Sequence, residues 1–188
     1  MAFVVVYDAC TLHPAPLRDL LIRIARIGVV RARWSEQILD ECFRSILRVR
    51  SDLSAENLQR TRERMNAAIR DVLVTGYEVL IHGIDLPDAD DRHVVAAAIR
   101  CGAQSIVTFN LKDFPAASLA PLGIEAVHPD AFVLDAIDLA PGSVCAEVEE
   151  QARVLKSPPR SRAEVLKELD RCGLVQSVAR LRELFGVD

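Results

Sequence analysis

Acidic residues at four places in the sequence carry the chemistry of this chain. Asp8 closes the run "AFVVVYD", Asp91 sits within "LPDADDRHVVAAA", Asn110 and Asp113 follow "SIVTF", and Asp40 and Glu41 stand side by side in "WSEQILDECFRSIL". Carboxylates gathered in one place repel, and burial raises their pKa values, so such a cluster costs stability unless a cation neutralises it. Oxygen donors without nearby His or Cys favour Mg²⁺ or Mn²⁺, which keep several waters and bridge to phosphate oxygens. The histidines fit no metal spacing. His13 and His128 each precede a proline and His82 and His93 are isolated, so all four are expected to be structural or surface residues.

For these acids to meet, the chain must fold so that distant segments share an edge. Short β-branched runs, "FVVVY", "YEVLI", "SIVTF" and "GIEAVH", alternate with segments of helical period at 15–27, 35–50, 54–74 and 89–101. That alternation predicts a parallel sheet covered by helices. Ser35, Ser54 and Asp88 stand where helix N-caps belong, and Gly102 where a C-terminal glycine belongs. All strands of a parallel sheet end along one edge, which is expected to bring Asp8, Asn110 and Asp113 side by side in the crevice where such folds bind ligands. If Asp88 caps its helix, Asp91 shares the inward stripe of Val94, Val95 and Ala98, while Asp90 lies about 100° away and leans toward solvent. Ile38, Leu39, Cys42, Phe43 and Ile46 make another buried stripe, flanked on its two sides by Asp40 and Glu41. Periodicity does not choose between those two acids.

The chain has 188 residues, 51% of them hydrophobic, with a formal charge of −4, enough apolar material to bury a core. Its first apolar run is too short to span a bilayer and has no basic segment before it, so neither a membrane helix nor a secretory signal is expected, and the reading is cytoplasmic. The five cysteines are scattered, odd in number and form no CxxC pair, which argues against a disulfide framework or a zinc site and for buried thiols. Residues 18–70 hold 12 Arg and no Lys against 7 acids, a local +5 that leaves −9 elsewhere. Arginine forks suit phosphate, so one basic face on an acidic protein fits a nucleic-acid substrate. Arg31, Arg33, Arg44, Arg48 and Arg50, read as lying on helices between the first two strands, are the expected backbone-holding residues. After Asp138 only helical patterns remain, broken at Pro141, at Pro158–Pro159 and at Gly173, so a three-helix extension is expected at 139–188 after an α/β unit at 1–138. Each helix there has one apolar face that must pack on something.

Three stretches, "VVYDAC", "WSEQILDECFRSIL" and above all "DADDRHVVAAAIRCGAQSIVTFNLKDFP", resemble the PIN-domain ribonucleases, and within them the VapC-type toxins of bacterial toxin–antitoxin pairs. The resemblance covers roughly residues 3–138, and "SPPRSRAEVLKELDRCGL" is similar to the helical tail of one subset of these toxins. It implies a PIN-like three-layer α/β fold and a metal-dependent endoribonuclease, with Asp8, Glu41 and Asp91 as metal ligands and Asn110 at the fourth catalytic position. It thereby favours Glu41 over Asp40. Thr108, Asp113 and Asp90 take supporting roles, Mg²⁺ or Mn²⁺ is the implied cofactor, and RNA, a VapB-type antitoxin and a second copy of the chain are the implied partners. Many relatives carry Asp where this chain has Asn110. A neutral amide binds metal more weakly, which leaves a catalytically weak RNA- or antitoxin-binding module as the alternative. A phosphoaspartyl phosphatase would need a second Asp two residues after Asp8, where Cys10 stands, and no glycine-rich loop follows any strand.

Overall fold

The computed structural model describes residues 3–156 and 158–186. Four parallel strands, β1 (Phe3–Tyr7), β2 (Val30–Arg33), β3 (Ser105–Val107) and β4 (Glu125–Val127), form one sheet in the order β2-β1-β3-β4. Val5, Val6, Ile106 and Val107 have no solvent exposure, as strands covered on both faces require. The chain leaves β1 toward β2 on one side and returns to β3 on the other, so the carboxyl ends of β1 and β3 make the switch point at which a crevice opens.

The helices are α1 (Ala9–Leu12), α2 (Ala15–Arg26), α3 (Glu36–Val49), α4 (Ala55–Ala68), α5 (Arg92–Cys101), α6 (Ala116–Leu119), α7 (Pro129–Leu139), α8 (Pro141–Val154), α9 (Arg162–Arg171) and α10 (Val175–Phe185). The expected caps are in place. Ser35 Oγ accepts from Ile38 N–H (3.2 Å), Ser54 Oγ from Asn57 N–H (3.1 Å) and Asp88 Oδ1 from Asp90 N–H (2.9 Å), while Gly102 ends α5 at φ 65°.

Two strand expectations are corrected. "YEVLI" is not a strand, since Glu78–Gly83 forms a 3₁₀ turn whose Val79 is 84% exposed. The strand beside β1 is instead "VRAR", an edge strand that buries Val30 and Ala32 and leaves Arg31 exposed. Arg31 and Arg33 therefore lie on a strand and not on helices. The helix expected over 54–74 stops at Ala68, and the chain beyond it pairs with Trp34 through Trp34 N–H to Val72 O (3.1 Å) and Val74 N–H to Trp34 O (2.9 Å).

The C-terminal helices pack on the sheet-bearing part through their apolar faces. Val165, Leu166, Leu169, Leu174, Val178 and Leu181 are all buried. Polar ties fix the register, with Gln151 Nε2 donating to Pro16 O (2.9 Å) and Arg23 joining Glu147 (3.0 Å). Among the described residues no helix is long and apolar enough to cross a membrane.

Candidate active site

The β1 backbone ends by donating Asp8 N–H to Val107 O (3.1 Å), which sets Asp8 directly beside the turn that leaves β3. Its side chain is 4% exposed and is satisfied by donors from two segments. Ala9 N–H donates to Oδ1 (2.7 Å), so Asp8 caps α1, while the Thr108 hydroxyl (2.7 Å) and the Cys10 thiol (3.0 Å) donate to Oδ2. Thr108 Oγ1 in turn accepts from Asn110 N–H (3.0 Å), and Cys10 Sγ accepts from Phe109 N–H (3.3 Å). This knot ties the end of β1 to the loop carrying Asn110. Burial, reinforced by the Asp8 charge, pushes the Cys10 thiol up to about 12. The thiol keeps its proton and acts as a donor to the carboxylate.

Asp8, Glu41, Asp91 and Asn110 line one open cleft of about 560 Å³, together with Cys10, His13, Ser45 and Phe109. A larger groove of about 640 Å³ between α2, α4 and α8 contains none of the four, and its acids, Asp19 and Glu168, share it with four arginines. Thr108 lies behind Asp8 with no exposure. Asp113 acts on Asp91 through its charge, and Asp90 is exposed and does not line the cleft. Arg44 and Arg48 are exposed on α3, three and seven residues past Glu41 and hence on its face. Arg31 pairs with Val4 and Arg33 with Val6, and both line a separate depression with Arg26 and Arg70. Arg31 sits about 13 Å of strand back from the level of Asp8.

Geometry separates the two acids that periodicity leaves open. Asp40 is turned toward α4, where Arg62 donates to its Oδ1 through Nη1 (2.6 Å) and pairs with Glu36 through Nη2. Glu41 points into the cleft and is unpaired by Arg or Lys among the described residues. Sequence reasoning missed one residue here. His93, 1% exposed, brings Nε2 to 2.8 Å from Glu41 Oε1, so the expectation that no histidine or cysteine comes near these carboxylates is corrected by both His93 and Cys10. Its only sequence signal is a histidine two residues beyond Asp91, directly before the apolar run "VVAAAI".

Loss of solvent first, then the charges of Asp8, Asp88, Asp113 and Glu41, push Asp91 up to about 6. The four charges that act on it most strongly are all negative. This donor set of carboxylates plus one amide oxygen fits a hard divalent cation. Among the described residues no three His, Cys, Asp or Glu side chains enclose an ion by themselves, a sparse donor set of the kind with which Mg²⁺, which keeps several of its waters, is compatible.

The chain is 41% identical over 95 residues to the Mycobacterium tuberculosis protein named "Putative ribonuclease VapC50", a stretch covering 50% of this chain and 56% of that one, so the match spans little more than half of the relative. No solved structure gives a significant match. The VapC50 C-terminal domain model matches residues 129–183, from the start of α7 through most of α10. The PIN domain model matches residues 4–112, a stretch that runs from β1 past Asn110 and holds all four cleft residues, and the chain belongs to the PIN domain family.

Proposed function

We propose that this chain is a Mg²⁺- or Mn²⁺-dependent endoribonuclease acting as the toxin of a type II toxin–antitoxin pair. The observation that carries the reading is the convergence of Asp8, Glu41, Asp91 and Asn110 on one cleft at the sheet's switch point, where among the described residues no Arg or Lys pairs with the acids. Asp8 and Asp91 would hold the cation, and Glu41 would hold it through water. Bound in such a site, a divalent cation lowers the pKa of water and offsets charge on the phosphate oxygens.

The chain's own residues do the rest. Asp8 is held rigid by three donors, so its free lone pairs keep one direction. Glu41, partly exposed, orients the attacking water and takes its proton. Thr108 and Asn110 fix the loop that forms the opposite wall, and Asp113 and Asp90 add negative charge around it. Arg44 and Arg48 hold the RNA backbone beside the cleft, while Arg31 and Arg33 offer a second contact farther along the molecule. The single Trp is buried and paired to Asn66 (2.9 Å), which leaves no exposed tryptophan on which bases could stack and favours recognition of RNA by backbone and shape. We place the protein in the cytoplasm with a VapB-type antitoxin and read it as a homodimer.

Cleavage of total RNA tests this directly, with Mg²⁺, Mn²⁺ or EDTA, for wild type, Asp8→Asn and Asp91→Asn. Wild type cuts with either metal and stops in EDTA, and both variants lose at least about 100-fold, the loss expected when a metal ligand is removed. Equal cutting by all three proteins, or none by wild type with any metal, sinks the assignment.

A further inference from the structure

We infer that His93 is a positioning residue that aims the Glu41 carboxylate into the cleft. This inference rests on the metal-site reading above and extends it to a side chain outside the cleft. Asp91, just before α5, and His93, in its first turn, point in different directions, Asp91 to the cleft wall and His93 into the interior. Glu41 comes from α3, so the 2.8 Å contact between His93 Nε2 and Glu41 Oε1 ties α3 to α5 behind the site.

Two observations make the contact more than packing. A histidine at 1% exposure has lost its water, and the Glu41 carboxylate stands 2.8 Å from Nε2. Neither ring nitrogen has a well-directed hydrogen bond in this structure, so a small rotation of Glu41 would complete Nε2–H to Oε1 and satisfy one of the two. Second, the other carboxylates of α3 are fixed elsewhere, since Arg62 takes both Glu36 and Asp40. Glu41 is the one carboxylate of this helix that lines the cleft, and His93 is its partner. Once that bond is completed, Oε1 is engaged from behind and Oε2 is the oxygen left for a water or cation. Partners of this kind behind a metal-holding carboxylate typically change metal affinity about 10–100-fold when removed.

The test compares wild type, His93→Leu, His93→Gln, Glu41→Gln and the double variant His93→Leu with Glu41→Gln. Mn²⁺ affinity is read by electron paramagnetic resonance of free Mn²⁺, and the ring ¹⁵N shifts of His93 are read in metal-free protein. Leucine fills the cavity without a donor, whereas glutamine restores an N–H near the position of Nε2. His93→Leu is expected to weaken Mn²⁺ binding about 10-fold or more, His93→Gln to recover most of it, and His93→Leu to add little on top of Glu41→Gln. Glu41→Gln should also move the His93 ring shifts. Should His93→Leu fail to fold, recovery in His93→Gln and the shift change still decide the matter. Mn²⁺ binding by His93→Leu equal to wild type overturns this inference alone, as does a His93→Gln protein that folds yet binds as weakly as the leucine variant. A wild-type protein that binds no Mn²⁺ overturns the metal reading and this inference with it.

Discussion

Asp91 has the most one-sided surroundings of the cleft acids. Partial burial raises its pKa first, and four neighbouring carboxylates add to that, bringing it to about 6. A group whose pKa is higher in the folded than in the unfolded chain binds its proton more tightly when folded, so stability falls as pH rises through the interval between the two values. For Asp91 that interval runs from the ordinary 3.8 to about 6. Asp91→Asn should therefore raise the melting temperature in EDTA at pH 7.5, and the advantage should shrink as pH is lowered toward 4. Added Mn²⁺ should reverse the order, because it stabilises wild type by binding the folded state and finds a weakened site in the variant. Thermal unfolding across pH, with and without Mn²⁺, checks both. A variant no more stable than wild type at pH 7.5 in EDTA would show that the acids are not crowded in solution. The inward face of Asp91 was legible from its place in the stripe with Val94, Val95 and Ala98. The contact of His93 with Glu41 was not, because a lone histidine in an apolar helix reads as core until the packing of α5 against α3 is known.

Among the elements, α3 shows how a local signal sets the site. Ser35 has no solvent exposure, and its Oγ satisfies Ile38 N–H, fixing where the helix begins. The phase of the helix then buries Ile38, Leu39, Cys42, Phe43 and Ile46 and sends Glu41 to the cleft and Asp40 to Arg62. Ser35→Ala should cost about 1 kcal/mol in urea unfolding, a typical value for losing an N-cap. A Ser35→Asp variant should recover part of that loss, limited by burial of its charge. Helices of this kind were readable because period and caps agree. The edge strand was not, since "VRAR" carries only two inward positions and puts arginines on the other face. "YEVLI" misled for the opposite reason, having β-branched and aromatic residues without a place in the sheet. The cost fell on Arg31 and Arg33, whose position depends on β2, whereas Arg44 and Arg48 follow from α3 alone.

Across the whole molecule, α7 joins the sheet to the C-terminal helices. Phe132 meets the Tyr7 ring edge-on at 5.8 Å, one residue before Asp8, while the Asp130 carboxylate takes Gln176 N–H (2.9 Å), Ser177 N–H (2.8 Å) and the Ser177 hydroxyl (2.7 Å) at the start of α10. An acid at that end of a helix is also favoured by the aligned peptide dipoles. Burial works against its charge, but these hydrogen bonds prevail and hold the carboxyl below its ordinary pKa. Its contribution is then complete above the ordinary carboxylate range and is lost as pH falls through the depressed value. Asp130→Ala should destabilise the chain by about 2–3 kcal/mol at pH 7, the scale for hydrogen bonds to a buried charged group, and the gap from wild type should begin to narrow as pH falls below about 4, the ordinary carboxylate value, and go on narrowing through the depressed value of the folded carboxyl. Trp34, far from α10 along the chain and bonded to Asn66 in α4, reports unfolding of the sheet-bearing part through its fluorescence. If the extension and the sheet fold as one unit, the Asp130→Ala transition seen at Trp34 shifts together with the loss of helix seen by circular dichroism. If Trp34 unfolds at the wild-type midpoint while helix is lost early, α7 does not couple the two parts and the extension is a separable appendage.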